Sequence, residues 1–168
     1  ELLSGSNNML TGTLPMLIAQ PALKTLEFHS NCLTGSIPEE LCTATQMIAL
    51  LLSGNHLTSS LPSCIVNIAQ LVTISVSGNM LTGKLPKGLG ALPLEGLYLS
   101  NNCFDGAIPE ELGVIGNLYA LVLTDNCFSG TIPPGLAALG ELAYFMLGEN
   151  LLIGSLPALL GQLGSMEY

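Results

Sequence analysis

An asparagine returns along this chain at Asn8, Asn31, Asn55, Asn79, Asn102, Asn126 and Asn150, at intervals of 23, 24, 24, 23, 24 and 24 residues. Two positions after each, a hexad begins: Leu10-Thr-Gly-Thr-Leu-Pro15, Leu33-Thr-Gly-Ser-Ile-Pro38, Leu57-Thr-Ser-Ser-Leu-Pro62, Leu81-Thr-Gly-Lys-Leu-Pro86, Phe104-Asp-Gly-Ala-Ile-Pro109, Phe128-Ser-Gly-Thr-Ile-Pro133 and Leu152-Ile-Gly-Ser-Leu-Pro157. A fixed period of this length constrains the fold more than any bulk property does, because one such unit cannot bury its apolar face alone and must stack on copies of itself.

Each unit has a physical reading. Before the asparagine, apolar residues alternate with variable ones, as in Leu71-x-x-Ile74-x-Val76 and Leu118-x-x-Leu121-x-Leu123. That is the period-2 signature of a short strand with one buried face. Strands recurring once per unit stack in parallel, and the roughly 15 residues after each asparagine supply the crossover that a parallel pair needs. A buried asparagine carries two donors and an acceptor, so it can satisfy backbone groups of its own coil and the next. The glycine of the hexad permits a tight bend, and the proline fixes φ for entry into an extended or helical segment. Glu39, Glu40, Glu110 and Glu111 come directly after such prolines. There they complement the dipole at the start of a short helix.

Composition removes several function classes. The 168 residues are 49% hydrophobic with a mean hydropathy of +0.59, yet the longest apolar runs, such as 47–52 and 142–147, reach only six residues. A membrane-spanning helix needs roughly 20. The same hydrophobicity excludes a disordered chain. Three lysines, no arginine and twelve acids give a net charge of −9, which excludes electrostatic binding of nucleic acid. The start, Glu1-Leu-Leu-Ser-Gly5, has no basic or apolar signal region. A mature chain or a fragment is therefore expected.

The repeats closely resemble the plant-type, extracellular-type leucine-rich repeat, LxxLxLxxNxLxGxIPxxLxxL, over nearly the whole chain. Ser59, Gly5 and Ile153 depart from it, in place of a glycine, a strand leucine and a Thr/Ser respectively. The resemblance implies an α/β solenoid, a right-handed superhelix with a parallel β-sheet on the concave face and short 3-10 or irregular crossovers on the convex face. Residues 1–168 then form one domain of seven repeats of 23–24 residues. Its ends read as uncapped, since an eighth strand would begin near Met166–Tyr168. A fragment of a longer solenoid, or a neighbouring chain covering an open end, is expected. An extracellular or organelle-lumenal setting follows from the repeat type, although the family's paired-cysteine caps and N-x-S/T sequons are missing.

Two surfaces stand out. Tyr98, Val122 and Met146 lie four residues before their asparagines, and Tyr119 and Tyr144 lie nearby, flanked by Asp125 and Glu149. Parallel strands lie about 4.8 Å apart, so these residues are expected to form one aromatic, acid-edged patch, the composition of a protein-contact surface. The competing reading is that some of them lean into the core. The hexads offer Thr11, Thr13, Thr34, Ser36, Thr58, Ser60, Ser129 and Thr131, with Lys84, Asp105 and Ile153 interrupting. Such hydroxyl rows resemble those of ice-binding solenoids built on this repeat, although the family's default residues account for many of them.

Catalytic signals are weak. Glu27 and His29 share a strand face near Lys24. A solvated salt bridge is the stronger reading there than an acid/base pair or half a metal site. No phosphate-binding loop, nucleophile elbow or CxxC occurs. Free semi-buried thiols are the default reading for Cys32, Cys42, Cys64, Cys103 and Cys127, with pairing of Cys103 with Cys127, or of Cys42 with Cys64, as open alternatives. The expected function is therefore a non-enzymatic module, without cofactor or metal, that binds a protein or peptide through its strand face within a larger assembly. The alternative is ice or carbohydrate-surface binding through the Thr/Ser rows.

Overall fold

The computed structural model describes residues 1–16 and 20–158. The expected eighth strand at Met166–Tyr168 lies outside them. The odd-numbered strands β1 (Leu2–Ser4), β3 (Thr25–Glu27), β5 (Ala49–Leu51), β7 (Thr73–Ser75), β9 (Gly96–Tyr98), β11 (Ala120–Val122) and β13 (Tyr144–Met146) form a parallel sheet in chain order. Its register equals the repeat: Leu26 pairs with Leu50, Leu50 with Ile74, Ile74 with Leu97, and Leu97 with Leu121. Those middle residues are fully buried, and their neighbours in each strand mostly face outward.

The Thr-Gly segments, read from sequence as turns, are strands. β2 (Thr11–Thr13), β4 (Cys32–Ser36), β6 (His56–Ser59), β8 (Met80–Gly83), β10 (Cys103–Ala107), β12 (Cys127–Gly130) and β14 (Leu151–Leu152) pair in parallel as a second sheet. Identical coils bring identical chain paths alongside one another, so backbone groups there find partners even though each hexad glycine has a positive φ, from 76° to 89°. Ser59 adopts φ 67° at the equivalent position. The left-handed conformation is thus imposed by the stack and survives loss of the glycine that makes it cheap.

Between the second sheet and the next coil's first strand lie 3-10 helices at Glu39–Thr43, Ser63–Asn67, Lys87–Ala91, Glu110–Val114 and Pro134–Ala138. The hexad prolines cap them with φ between −71° and −55°, near the value the pyrrolidine ring enforces. Each helix buries one leucine or isoleucine: Leu41, Ile65, Leu89, Leu112 and Leu136. Together with Leu57, Leu81, Phe104 and Phe128 from the second sheet, these side chains make a continuous core between the two sheets and the helices. The first coil is barely covered, with β1 and β2 exposed throughout. A side chain at Gly5 would put its Cβ 2.6 Å from the Phe28 ring, so the missing strand leucine makes room for a larger residue one coil on.

The asparagine column ties coil to coil. Asn126 donates from Nδ2 to the carbonyls of Leu123 in its own coil (3.1 Å) and Leu99 in the preceding one (2.9 Å), and its Oδ1 accepts the Phe104 N–H at 2.9 Å. Asn31, Asn55, Asn79, Asn102 and Asn150 repeat this three-way pattern. The Asn8 side chain, among the described residues, bonds within its own coil, to the Gly5 and Ser6 carbonyls.

The default reading of five free thiols is wrong for two of them. Cys42 and Cys64, on adjacent 3-10 helices, form a disulfide with Cα atoms 5.9 Å apart. Cys32, Cys103 and Cys127 are free. The bond closes a loop with a sequence separation of 22. Removing it restores chain entropy to the unfolded state worth about 3 kcal/mol. The Cys42→Ser, Cys64→Ser double variant is expected to melt roughly 6–12 °C lower, measured by circular dichroism; an unchanged midpoint would refute a stabilising role.

Candidate functional site

In β9, β11 and β13 the register places Tyr98 beside Val122 and Val122 beside Met146, one outward row across three strands. The residues beside that row are small except at the last coil: Gly96, Ala120 and Tyr144 stand in register. A Cβ added to Gly96 would come 2.6 Å from the Tyr98 ring, so the tyrosine lies back over its own strand, and only glycine leaves room for that pose. Ala120 stands on the outward side of β11 and is nevertheless fully buried.

Tyr119 and Tyr144 occupy different columns, seven and six residues before their asparagines, yet their rings meet edge to face with centroids 5.3 Å apart. This is the favourable geometry for the aromatic quadrupoles. Tyr119 is 46% exposed and Met146 49%, while Tyr98, Val122 and Tyr144 are half-buried. Asp125 and Glu149 sit exposed at the far end of the strands with φ of 55° and 50°. At the near end, Glu95, Gly116, Asn117, Tyr119 and Glu141 line an open cleft of about 440 Å³. Sequence reasoning passed over Glu95 and Glu141. The signal for Glu95 was its column, since it stands where Tyr119 stands one coil later.

At the opposite end of the same sheet, His29 Nε2 lies 3.2 Å from Glu27 Oε1, both side chains about a third exposed, and His29 Nδ1 lies 3.3 Å from the Ser30 hydroxyl. Among the described residues no three His, Cys, Asp or Glu side chains converge as metal ligands. No helix there is long and apolar enough to cross a membrane.

The hydroxyl rows lie on the second sheet. Its register is staggered, setting Thr13 beside Thr34 and Ser36 beside Thr58. Thr11, Thr13, Thr34, Ser36, Ser60 and Thr131 are exposed, Thr58 and Ser129 half-buried. The Thr34 hydroxyl donates to the Gly12 carbonyl at 3.3 Å, which occupies one of the groups a solvent-facing array would offer.

The Leucine Rich Repeat family model matches residues 22–44, 70–92, 93–115 and 117–139. A search of the curated proteins finds no match. Among similar solved structures is the ectodomain of the membrane receptor kinase GASSHO1/SCHENGEN3 from Arabidopsis thaliana, in complex with Casparian strip integrity factor 2. It is 38% identical over 96% of this chain and 20% of that one, with a TM-score of 0.93. The plant peptide hormone receptor RGFR1, in complex with RGF2, is 34% identical over 98% of this chain and 27% of that one, with a TM-score of 0.95. A plant ice-binding protein is 25% identical over 90% of this chain and 57% of that one, with a TM-score of 0.78. The chain thus spans between a fifth and a third of the two receptor chains.

Proposed function

Because the chain belongs to the leucine-rich repeat family, in its plant type, we propose that it is a non-enzymatic recognition module that binds a protein or peptide on the first sheet at β9, β11 and β13. The observation that carries this reading is the contiguous outward-facing row of Tyr98, Val122 and Met146 with the Tyr119–Tyr144 pair. Aromatic residues and methionine are enriched at contact surfaces, and tyrosine supplies large area with little conformational entropy to lose. The similar peptide hormone receptor is in complex with RGF2 and the similar receptor-kinase ectodomain with Casparian strip integrity factor 2, which supports the same class of partner here. Extracellular placement fits the Cys42–Cys64 disulfide, since such bonds persist in oxidising compartments.

The test is to pan a displayed library of random dodecapeptides against the chain and measure the enriched peptides by calorimetry. Truncating a central interface aromatic costs about 2 kcal/mol or more, so Tyr119→Ala with Tyr144→Ala is expected to raise Kd at least 30-fold, and Met146→Ser to add a smaller loss. The melting midpoint should stay within a few degrees, because these side chains are outside the core. No enrichment, or Kd unchanged in the tyrosine variants, refutes the reading.

A second reading has its own support: the hydroxyl-bearing second sheet, together with likeness to a plant ice-binding protein. Lys84, Asp105 and Ile153 interrupt its rows, and charged side chains hold water more strongly than a threonine methyl does. If the rows bind ice, the chain shows thermal hysteresis that Thr34→Lys abolishes. Its absence, with ordinary ice recrystallisation, removes this reading.

A further inference from the structure

We infer that the segment recognised at β9, β11 and β13 is cationic: an extended peptide bearing arginine or lysine, one of whose side chains enters the cleft between Glu95 and Glu141 beside Tyr119. This rests on the recognition reading above and adds the chemistry of the partner.

The charge is strongly segregated along the stack. Residues 1–87 hold all three lysines, both histidines and four acids (Glu1, Glu27, Glu39, Glu40), a formal charge of −1. Residues 88–158 hold seven acids and no lysine, arginine or histidine, a formal charge of −7. Two of the lysines lie just before this region, and the aliphatic stem of Lys84 runs along Gly106 on the second sheet, away from the tyrosines. The carboxylates of the later coils therefore have no cation of their own half to pair with.

Four of the seven frame the aromatic surface. Glu95 and Glu141 line the cleft at the near end of the strands, and Asp125 and Glu149 stand exposed at the far end. The seven residues from Glu95 to Asn101 span about 20 Å of extended chain, so the two acid pairs bracket a strip the width of a peptide with its side chains. Tyr119 lies between the first pair, nearly half exposed. A guanidinium or ammonium in that cleft meets a ring face or edge and two carboxylates together, combining cation–π attraction with charge-assisted hydrogen bonds. A partner of negative charge would meet repulsion from every side of the same strip, which separates right from wrong partners more sharply than apolar contact can.

The dodecapeptides enriched on the chain give the test. Their sequences are compared with the unselected pool, and each is remade with arginine and lysine replaced by glutamine. Expected are an excess of Arg and Lys, Kd rising steeply between 50 and roughly 300 mM salt as screening sets in, and a loss of about 10-fold or more in the Glu95→Gln, Glu141→Gln variant. The glutamine analogues should not distinguish that variant from the unaltered chain, and Glu39→Gln with Glu40→Gln, on the far helix of the second coil, should leave Kd unchanged. Tyrosine-dependent binding without cation enrichment, or with Kd indifferent to Glu95 and Glu141, overturns the inference and leaves the recognition reading standing. Absence of any tyrosine-dependent peptide overturns both.

Discussion

Replacing Asn126 by leucine is expected to lower the melting midpoint by roughly 10–15 °C, the largest effect of any single substitution on this surface-to-core boundary. The amide is 8% exposed and serves three backbone groups at once: the Leu99 and Leu123 carbonyls and the Phe104 N–H. A leucine of similar size fills the space and satisfies none of them. Each buried orphan costs about 1–3 kcal/mol, so two or three orphans cost about 2–9 kcal/mol, centred near 4, and in a domain of this size each kcal/mol moves the midpoint by about 2–4 °C. Asn126→Ala should be milder, because the smaller side chain admits water to the freed groups. Amide exchange at Phe104 should quicken in both variants. A leucine variant losing under about 1 kcal/mol would mean that the column is not holding the coils together.

Phe104→Ala is the second large loss. Phe104 is fully buried in β10, where β4, β6 and β8 carry Leu33, Leu57 and Leu81, and its ring stacks on Phe128 of β12 with centroids 6.3 Å apart and planes 12° from parallel. Emptying a phenylalanine site costs about 3–5 kcal/mol, depending on how far the coils can close on the void. Phe104→Leu restores the residue of the earlier coils and should cost less than about 1.5 kcal/mol. A double-mutant cycle with Phe128→Leu should give a coupling of about 0.5–1.5 kcal/mol from the ring pair. If alanine and leucine prove equally harmful, the loss lies in backbone displacement and not in the cavity. Denaturant unfolding with both midpoint and slope measured separates the two.

How much of this was legible depends on whether a residue's job is repeated in every coil. The asparagines and core leucines are: each answers a demand that recurs at the same point of each turn, so the demand is written as a period. The second sheet was hidden because Thr-Gly with a positive φ looks like a bend when one coil is considered, and becomes a strand only when neighbouring coils supply the pairing. The disulfide was left undecided for a related reason. Cys42 and Cys64 are 22 residues apart while their coils are 24 apart, so they occupy different columns, whereas Cys103 and Cys127 share one and stay free. The Tyr119–Tyr144 contact likewise joins two columns, and Glu95 and Glu141 stand seven and nine residues before their asparagines. Side chains that are long relative to the coil spacing meet diagonally, and column-by-column reading does not see diagonals.

The Cys42–Cys64 bond has a bearing on where the molecule opens. In a linear stack each coil is held only by its neighbours, so order is lost from an end inward and stops where a clamp is met. The clamp here joins coils two and three, and coils five to seven, which carry the tyrosines, lie beyond it. The tyrosine-bearing strands lie outside that clamped pair of coils, and a bound partner would act there as a second, removable clamp. Slowed hydrogen exchange from β9 to β13 on addition of a selected peptide, with no change around Cys42 and Cys64, would be the signature of that arrangement.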